Sequence, residues 1–526
     1  MLSHIVQEVV TRYKRTADEE TPESIPRIHI DEVASQVSVF YEKLRNVVDY
    51  KEEHLIRRRF IDRVLHRRLF LNKGDKSAES IVKEIIRAGY LPNDAIPETK
   101  IAEVALIIRN YEYFEEHVPM SKNRANQKEF SEWLFIMTAS AIEENLFPPR
   151  KENALVDIMF LIMKEHLVIR GEEPSDEKKD LQLFVAVRRA LLKADEDQLH
   201  YQLLKSTYPK WGHMTDEECE VVAGTLRVTR KKMKSIINDP LGIHFLRTTT
   251  RYSMVFHLIG DLIDRAGSFE DFSTMISDID RMESEMREAY DNRFRVIRKR
   301  LNRIGFLSVL SFFLSKILIV LAIEIPIEQQ LTHSFSLENT VVNILFPPLL
   351  MLIIALSIKM PKAGNFHLVF EASQQALFEE ENTSYVIEIP KKRGFLGEAL
   401  LNLFYLATFV VVFYLASKLL IPLSFTTANI IVLLLFVSVV AAAGVRMHNR
   451  AKELSLDKPH TNIISFLFDL FSMPFVSVGK WIIDGLAKFN PIVVLINLLI
   501  ELPFQLFVEF VENFNRFLRN KKEEIT

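Results

Sequence analysis

A lysine inside an apolar run is the residue of this sequence that most strongly suggests chemistry. Lys316 lies near the middle of residues 306–323, with Ser308, Ser311 and Ser315 on a neighbouring stripe. A charged side chain at the centre of a bilayer is costly unless it is paired, so it marks a functional site by default. A snorkelling side chain, or one structural hydrogen bond to a neighbouring helix, is the simpler interpretation.

Acidic and amide side chains elsewhere provide candidate partners for this lysine. The mostly apolar region 463–511 contains four carboxylates, Asp469, Asp484, Glu501 and Glu509. They can pair with Lys316 if that region enters the bilayer. In the second apolar run, Asn343 and the pair Pro347-Pro348 could interrupt a helix as transporters do, although a supported proline kink is commoner. The sequence therefore predicts an intramembrane polar site with these members: Lys316, Asn343, Asp469, Glu501 and Glu509.

A basic cluster immediately before the first apolar run forms a second candidate site. Its members are Arg293, Arg295, Arg298, Lys299, Arg300 and Arg303. Basic residues beside a spanning helix attract anionic headgroups by about 1 kcal/mol each and mark the cytoplasmic side. We therefore expect membrane lipids, and anionic headgroups in particular, as binding partners of this cluster.

No pattern in the sequence indicates an enzyme, a cofactor or a metal. There is no P-loop, no G-x-S-x-G, no H-E-x-x-H and no kinase signature. The 14 His are scattered, and Cys219, the 1 Cys, lies among acidic residues that favour an inert thiol. The formal net charge of -3 does not indicate an affinity for nucleic acid. Catalytic activity is therefore unsupported, and we expect no cofactor, no metal and no nucleic acid.

Four apolar runs must position these candidate residues. They are residues 306–323, 341–358, 399–421 and 428–445. Each is about long enough to cross a hydrocarbon core of ~30 Å as a helix. The segments 324–340 and 422–427 contain no Lys or Arg, whereas 359–398 and 446–462 contain several. This alternation predicts four crossings with the N-terminus and the C-terminus both in the cytoplasm.

The segments around the runs have their own patterns. The loop 359–398 contains two β-leaning pieces, 366–370 and 385–389, which predict a small hairpin. Residues 446–526 end in a basic tail, and a narrow polar stripe through 463–511 favours amphipathic helices on the inner headgroup layer. A polar-faced hairpin buried against the spans is the alternative.

The residues before the membrane runs predict helices almost throughout. The 15 Gly are about 3% of the 526 residues, against a usual ~7%. Residues 1–267 predict a cytoplasmic all-helical domain, and residues 268–305 predict a long basic helical stalk that continues into the first run. The fold class is therefore all-α, with a large cytoplasmic helical domain followed by a polytopic α-helical membrane domain.

These patterns lead to one leading functional hypothesis. A multi-pass integral protein of the inner or plasma membrane would act as a scaffold or sensor without catalytic activity, and a cytoplasmic protein would be its partner. The alternative is a transporter or channel that uses Lys316 and the acidic stripe of Asp469, Glu501 and Glu509. A membrane-bound hydrolase or transferase would need several polar residues to converge in one pocket.

Overall fold

A computed structural model of the protein describes most of the chain. The described residues are 2–17, 26–30, 53–71, 76–326, 337–358, 365–378, 384–390, 394–421, 427–452, 455–456 and 463–488. They form 17 α-helices and two short strands, which confirms the all-α class. The chain divides into two compact units, which are considered separately below.

The first unit, the helical unit, comprises residues 4–165 and 174–247. Its helices are α1 (His4–Ala17), α2 (Glu53–Leu71), α3 (Lys76–Arg87), α4 (Thr99–His117), α5 (Arg124–Leu146), α6 (Arg150–Glu165), α7 (Asp176–Leu192), α8 (Glu196–Thr207) and α9 (Asp216–Ile237). One hydrophobic core runs through it and includes Leu65, Ile85, Phe114 and Met137. A capping box begins α9, where Thr215 and Glu218 each accept the other's backbone N–H.

Two arginines of α2 form ion pairs with acidic side chains of the helical unit. Arg58 is buried and contacts Asp195 at 2.5 Å and Asp197 at 3.7 Å. Arg57 lies 3.6 Å from Glu143 on α5. At least these two arginines of α2 are therefore engaged within the unit.

The second unit, the membrane unit, comprises residues 166–173 and 248–491 together with the first three residues. Its helices are α10 (Gly242–Arg265, whose first residues belong to the helical unit), α11 (Phe269–Ser277), α12 (Ile279–Ile319), α13 (Leu337–Ser357), α14 (Asn365–Leu377), α15 (Phe395–Leu420), α16 (Thr427–Lys452) and α17 (Ile463–Lys488). Five of these helices, α12, α13, α15, α16 and α17, are long and apolar enough to cross a membrane. Four of them coincide with the predicted runs. The fifth, α17, lies in the region for which surface-lying helices were predicted.

The predicted stalk is two helices and not one. α11 ends at Ser277, and the side chain of Asp278 accepts the N–H groups of Asp280 and Arg281, which begins α12. From there α12 continues for 41 residues without interruption. At 1.5 Å per residue, this helix is about 62 Å long.

The predicted hairpin in the loop 359–398 is wrong. Residues 366–370 belong to α14. Residues 385–389 do form a strand, β2 (Tyr385–Ile389), but it pairs in parallel with β1 (Leu167–Gly171), far away in the sequence. The register runs from Leu167 opposite Tyr385 to Gly171 opposite Ile389.

Three of the apolar helices form the centre of the membrane unit. Met351 of α13 and Val440 of α16 are fully buried and share a cluster with residues of α12. Gly444 permits the approach of α13, since a Cβ there would meet Ile354 at 2.7 Å. α15 lies at the edge, where Val412 is its buried residue among those described.

Candidate functional site

A closed polar cluster lies within the apolar part of the membrane unit. The Lys316 Nζ is 2.5 Å from Glu324 Oε1, and the Asn343 Nδ2 donates to Glu324 Oε2 at 2.5 Å. The residues are 0% (Lys316), 5% (Glu324) and 1% (Asn343) exposed. The Lys316 Nζ also lies 5.0 Å from the centre of the Phe436 ring on α16. These three residues, Lys316, Glu324 and Asn343, are called the polar cluster below.

A π-helical turn brings Lys316 and Glu324 to the same side of their segment. α12 is followed directly by this turn over Val320–Glu324. Eight residues of a regular α-helix rotate by about 800°, which would leave the two side chains about 80° apart. A π turn is wider and rotates less per residue, so it returns Glu324 toward the face of Lys316. The ion pair therefore depends on this local irregularity.

The second apolar helix contributes Asn343 just before two prolines. α13 continues through Pro347 and Pro348, so these residues do not end the helix. Proline has no N–H, and the carbonyls of Asn343 and Ile344 therefore lack their usual donors four residues on. The cluster thus lies beside backbone polar atoms that the helix itself cannot satisfy.

The charges of the polar cluster are balanced, but one of its hydrogen-bond acceptors is not satisfied within the described part of the chain. Lys316 and Glu324 neutralise each other, and removal of one partner from such a buried pair typically costs about 3–5 kcal/mol. The Oδ1 of Asn343 is buried and has no hydrogen-bond partner among the described residues. An unsatisfied buried acceptor costs about 1–3 kcal/mol. The hydrogen bond from Asn343 Nδ2 to Glu324 therefore offsets the cost of burying the unsatisfied Oδ1.

The structure brings together two of the five predicted site residues. Lys316 and Asn343 meet at Glu324, the first residue of the segment 324–340, which the charge pattern predicts to be an external loop. Its signal was an acid eight residues after the lysine, at the end of the same apolar run.

The other predicted members lie elsewhere. Asp469 is exposed and lies close enough to His448 to interact with it electrostatically. Asp484 is also exposed and pairs with Arg446 at 3.1 Å. The carboxylate that contacts Lys316 is thus Glu324, and not Asp469 or Asp484 as the sequence suggested. Glu501 and Glu509 lie outside the described residues.

The predicted lipid-binding cluster lies on α12, in the turns before Gly305. Arg293 is engaged internally, because its Nη2 donates to Asp261 Oδ1 at 2.6 Å. Arg295 donates to Asn292 at 2.6 Å and remains exposed. Arg298, Lys299 and Arg303 are also exposed, whereas Arg300 is half-buried. Lipid contact by the exposed members stays a prediction.

Comparison with known proteins adds no functional information. No protein-family model matches the chain, and no curated protein or solved structure is significantly similar to it. Within the described ranges, no group of three or more His, Cys, Asp or Glu residues is arranged to hold a metal ion. Function must therefore be argued from the geometry of the membrane unit.

Proposed function

We propose that this protein is a multi-pass integral membrane protein that holds a helical interaction domain at the cytoplasmic face, as a scaffold or sensor without catalytic activity. The observation that carries this proposal is α12. One helix of 41 residues begins in a charged sequence and ends in an apolar one, and polar contacts fix both of its halves. Such a helix couples the bilayer rigidly to the polar part of the chain.

The polar half of α12 is fastened to its neighbours by several contacts. Arg265 of α10 contacts Glu285 at 2.6 Å and Glu288 at 3.2 Å. Asn365 of α14 donates to the Tyr290 hydroxyl at 2.9 Å in a buried site. α10 and α14 therefore both contact α12 between residues 285 and 290, from different sides of the helix, so they follow it when it moves.

The apolar half of α12 is fastened inside the spanning helices. Gly305 admits close packing, since a Cβ there would lie 3.3 Å from Ala355 and 3.4 Å from Met447. Eleven residues, or about 16 Å, further along the helix lies Lys316 with its partner Glu324. A tilt or rotation imposed on the bilayer end is therefore transmitted to the polar end, and the reverse is also true.

The proposal is tested by photo-crosslinking in intact cells. A photoreactive amino acid replaces Met120, Val221 or Val228, whose side chains on the helical unit are 81%, 74% and 70% exposed. We expect discrete protein adducts from at least one of these positions. Phe404 of α15, 59% exposed on an apolar helix, is the control and should react with lipid. Adducts that form from Phe404 while all three helical-unit positions stay unreactive would contradict an interaction domain.

A transporter or channel is the second candidate function. The observation that favours it is the polar cluster, which combines a charged pair, a π turn and a buried Asn343 Oδ1 that has no partner in the described part of the chain. Purified protein in liposomes loaded with a pH-sensitive dye tests this candidate. Under the scaffold proposal, wild-type proteoliposomes should resemble empty ones. A proton flux that is lost in Glu324→Gln but kept in Asp484→Asn would favour the transporter.

A further inference from the structure

One edge of the two-stranded sheet in the membrane unit has no partner strand among the described residues. A strand presents the N–H and C=O groups of alternate residues to opposite sides. The Tyr385 N–H donates to the His166 carbonyl, and the register pairs Leu167 with Tyr385. Val168 and Arg170 therefore direct their backbone groups toward β2. Leu167, Ile169 and Gly171 direct theirs away from it.

The two outer edges of the sheet differ. On β2, the outward carbonyl of Val386 accepts the Thr248 hydroxyl of α10 at 3.4 Å. On β1, the outward groups of Leu167 and Ile169 have no hydrogen-bond partner in the part of the chain that the structure describes. The strand is accessible, since Val168 is 42% exposed and Arg170 and Gly171 are exposed. An unpaired, accessible strand edge is a template for another strand.

We propose that β1 pairs with β1 of a second copy of this chain, antiparallel and about a two-fold axis at Ile169. In this register Ile169 faces Ile169, and each exchanges both backbone hydrogen bonds with the other. The Gly171 N–H of each copy donates to the Leu167 carbonyl of the other. Four backbone hydrogen bonds form, and the two sheets join into one of four strands.

The side chains around this axis are self-complementary. Val168 of one copy faces Arg170 of the other, so the arginine stem covers an exposed apolar side chain. The acidic residues after the strand, Glu172 and Glu173, come near His166 of the second copy. Gly171 has a φ of +117° and its Cβ position is filled by the Ile389 carbonyl, so the strand ends there and leaves room for Leu167 of the partner copy. A two-stranded sheet is marginal alone, and more strands stabilise it.

Cysteine cross-linking of the full-length protein in native membranes tests this register. On a Cys219→Ser background, Ile169→Cys places two thiols on residues with Cα atoms about 5.5 Å apart, within disulfide range. Val168→Cys is the matched control, since its two copies would be about 8 Å apart and beyond that range. We expect Ile169→Cys to form the homodimer at least about tenfold faster than Val168→Cys.

A proline variant separates docking from folding. Ile169→Pro removes an outward N–H and leaves the inward bonds of Val168 and Arg170 to β2 in place. We expect it to lower the dimer fraction measured by chemical cross-linking while the thermal stability stays near that of wild type, and Ile169→Val should keep both. Equal cross-linking of Ile169→Cys and Val168→Cys would overturn the proposal. So would an Ile169→Cys adduct with a mass other than twice that of the chain.

Discussion

At the scale of single residues, Lys316 and Glu324 place two opposite charges among apolar helices. Neither charge reaches solvent in the structure, so each depends on the other for its neutralisation. This arrangement makes the two side chains energetically coupled, and a double-mutant cycle measures that coupling directly.

Lys316→Met and Glu324→Gln should each destabilise the protein. Each single change leaves a buried, uncompensated polar or charged group, at a cost of about 3–5 kcal/mol. The double variant should recover a large part of this loss, because it removes both charges. Thermal unfolding in detergent, followed by circular dichroism, provides the measurement. Asp484→Asn is the control, since its pair with Arg446 is half exposed and worth about 0–1 kcal/mol. Single variants as stable as wild type would show that the pair contributes nothing.

The helical unit contains a carboxyl group that links stability to pH. Burial raises the pKa of Glu143 from its ordinary 4.5 to about 7, although nearby Arg57 and Arg58 act to lower it. The folded protein therefore binds this proton more tightly than the unfolded chain does. Stability from this group is present at about pH 4.5 and below, and it is lost as the pH rises toward about 7.

The corresponding prediction concerns the pH profile of Glu143→Gln. Between about pH 4.5 and 7, this variant should lose a downward slope that amounts to about 3 kcal/mol in the wild type. Denaturant titrations of the full-length protein across this range measure the effect. Glu129→Gln is the control, because hydrogen bonding from Lys234 lowers the pKa of Glu129, so its titration falls below this window. A Glu143→Gln profile parallel to that of wild type would argue against the shifted pKa.

The residues of the polar cluster show how far the sequence could predict the site. An ionisable or amide side chain is conspicuous in an apolar run, so Lys316 and Asn343 could be found without coordinates. Glu324 is also visible in the sequence, eight residues after Lys316, but its pairing with Lys316 could not be predicted, because that pairing depends on a π turn that leaves no composition signal. Asp469 and Asp484 were candidate partners on the condition that region 463–511 enters the bilayer, and both side chains are exposed in the structure.

At the scale of elements, α16 and α17 approach each other very closely at Gly479. A Cβ on Gly479 would lie 1.8 Å from the Ser438 carbonyl oxygen and 2.9 Å from Ala442. No side chain fits there without a shift of one helix. The position of α17 against α16 therefore depends on this glycine.

Gly479→Ala should destabilise the membrane unit even though alanine favours helices. Overpacking of this kind costs about 1–3 kcal/mol, which exceeds the gain of up to about 1 kcal/mol in helix propensity. Gly485→Ala, in the same helix with nothing within 4 Å of its Cβ position, is the matched control and should be neutral or stabilising. Thermal unfolding in detergent distinguishes the two. Equal effects would mean that the two helices do not touch at Gly479 in the membrane.

Two elements show why local sequence patterns were insufficient. The break between α11 and α12 falls at Asp278, and an aspartate with neither Gly nor Pro beside it is equally compatible with an exposed helix position. The pairing of β1 with β2 joins residues more than two hundred positions apart, so no turn signal announces it. The long helices, by contrast, were predictable because their periodicity and apolar length are local properties.

At the scale of the whole molecule, the direction of α17 bears on the number of crossings. Phe475 packs beside Ile430 and Leu434, Gly479 meets Ser438, and Asp484 pairs with Arg446. The second half of α17 therefore runs in the same direction as α16. A straight α17 would then begin near the N-terminal end of α16, across the membrane from the C-terminal end of α16.

The chain before α17 is too short for such a straight path. The Leu456 N–H donates to Asn365 at 2.9 Å, and its carbonyl accepts from Arg251 at 2.9 Å, so Leu456 lies with helices α14 and α10. The seven residues from Leu456 to Ile463 reach about 24 Å at most, less than a hydrocarbon core of ~30 Å. α17 continues as a helix through Pro474, so it should bend sharply at this proline, with its two halves forming a wedge that enters the bilayer and returns to the side from which it came.

This geometry predicts that Asp469 and Asp484 lie on the same side of the membrane, with four complete crossings before them. On a Cys219→Ser background, Asp469→Cys and Asp484→Cys should both react with an impermeant maleimide in inside-out vesicles. Neither should react in intact cells, and a cysteine placed at Glu328 should show the opposite behaviour. Labelling of Asp469→Cys and Asp484→Cys from opposite sides would establish a fifth crossing.

Because α12 is continuous, the rotation of one end about the helix axis fixes the rotation of the other end. Each inserted residue turns everything beyond it by about 100° and advances it by about 1.5 Å. Seven inserted residues would restore the azimuth to within about 20°, whereas two would point Lys316 away from Phe436 and Asn343. The length of this helix can therefore vary only in steps of whole turns if its two ends are to keep their relative rotation.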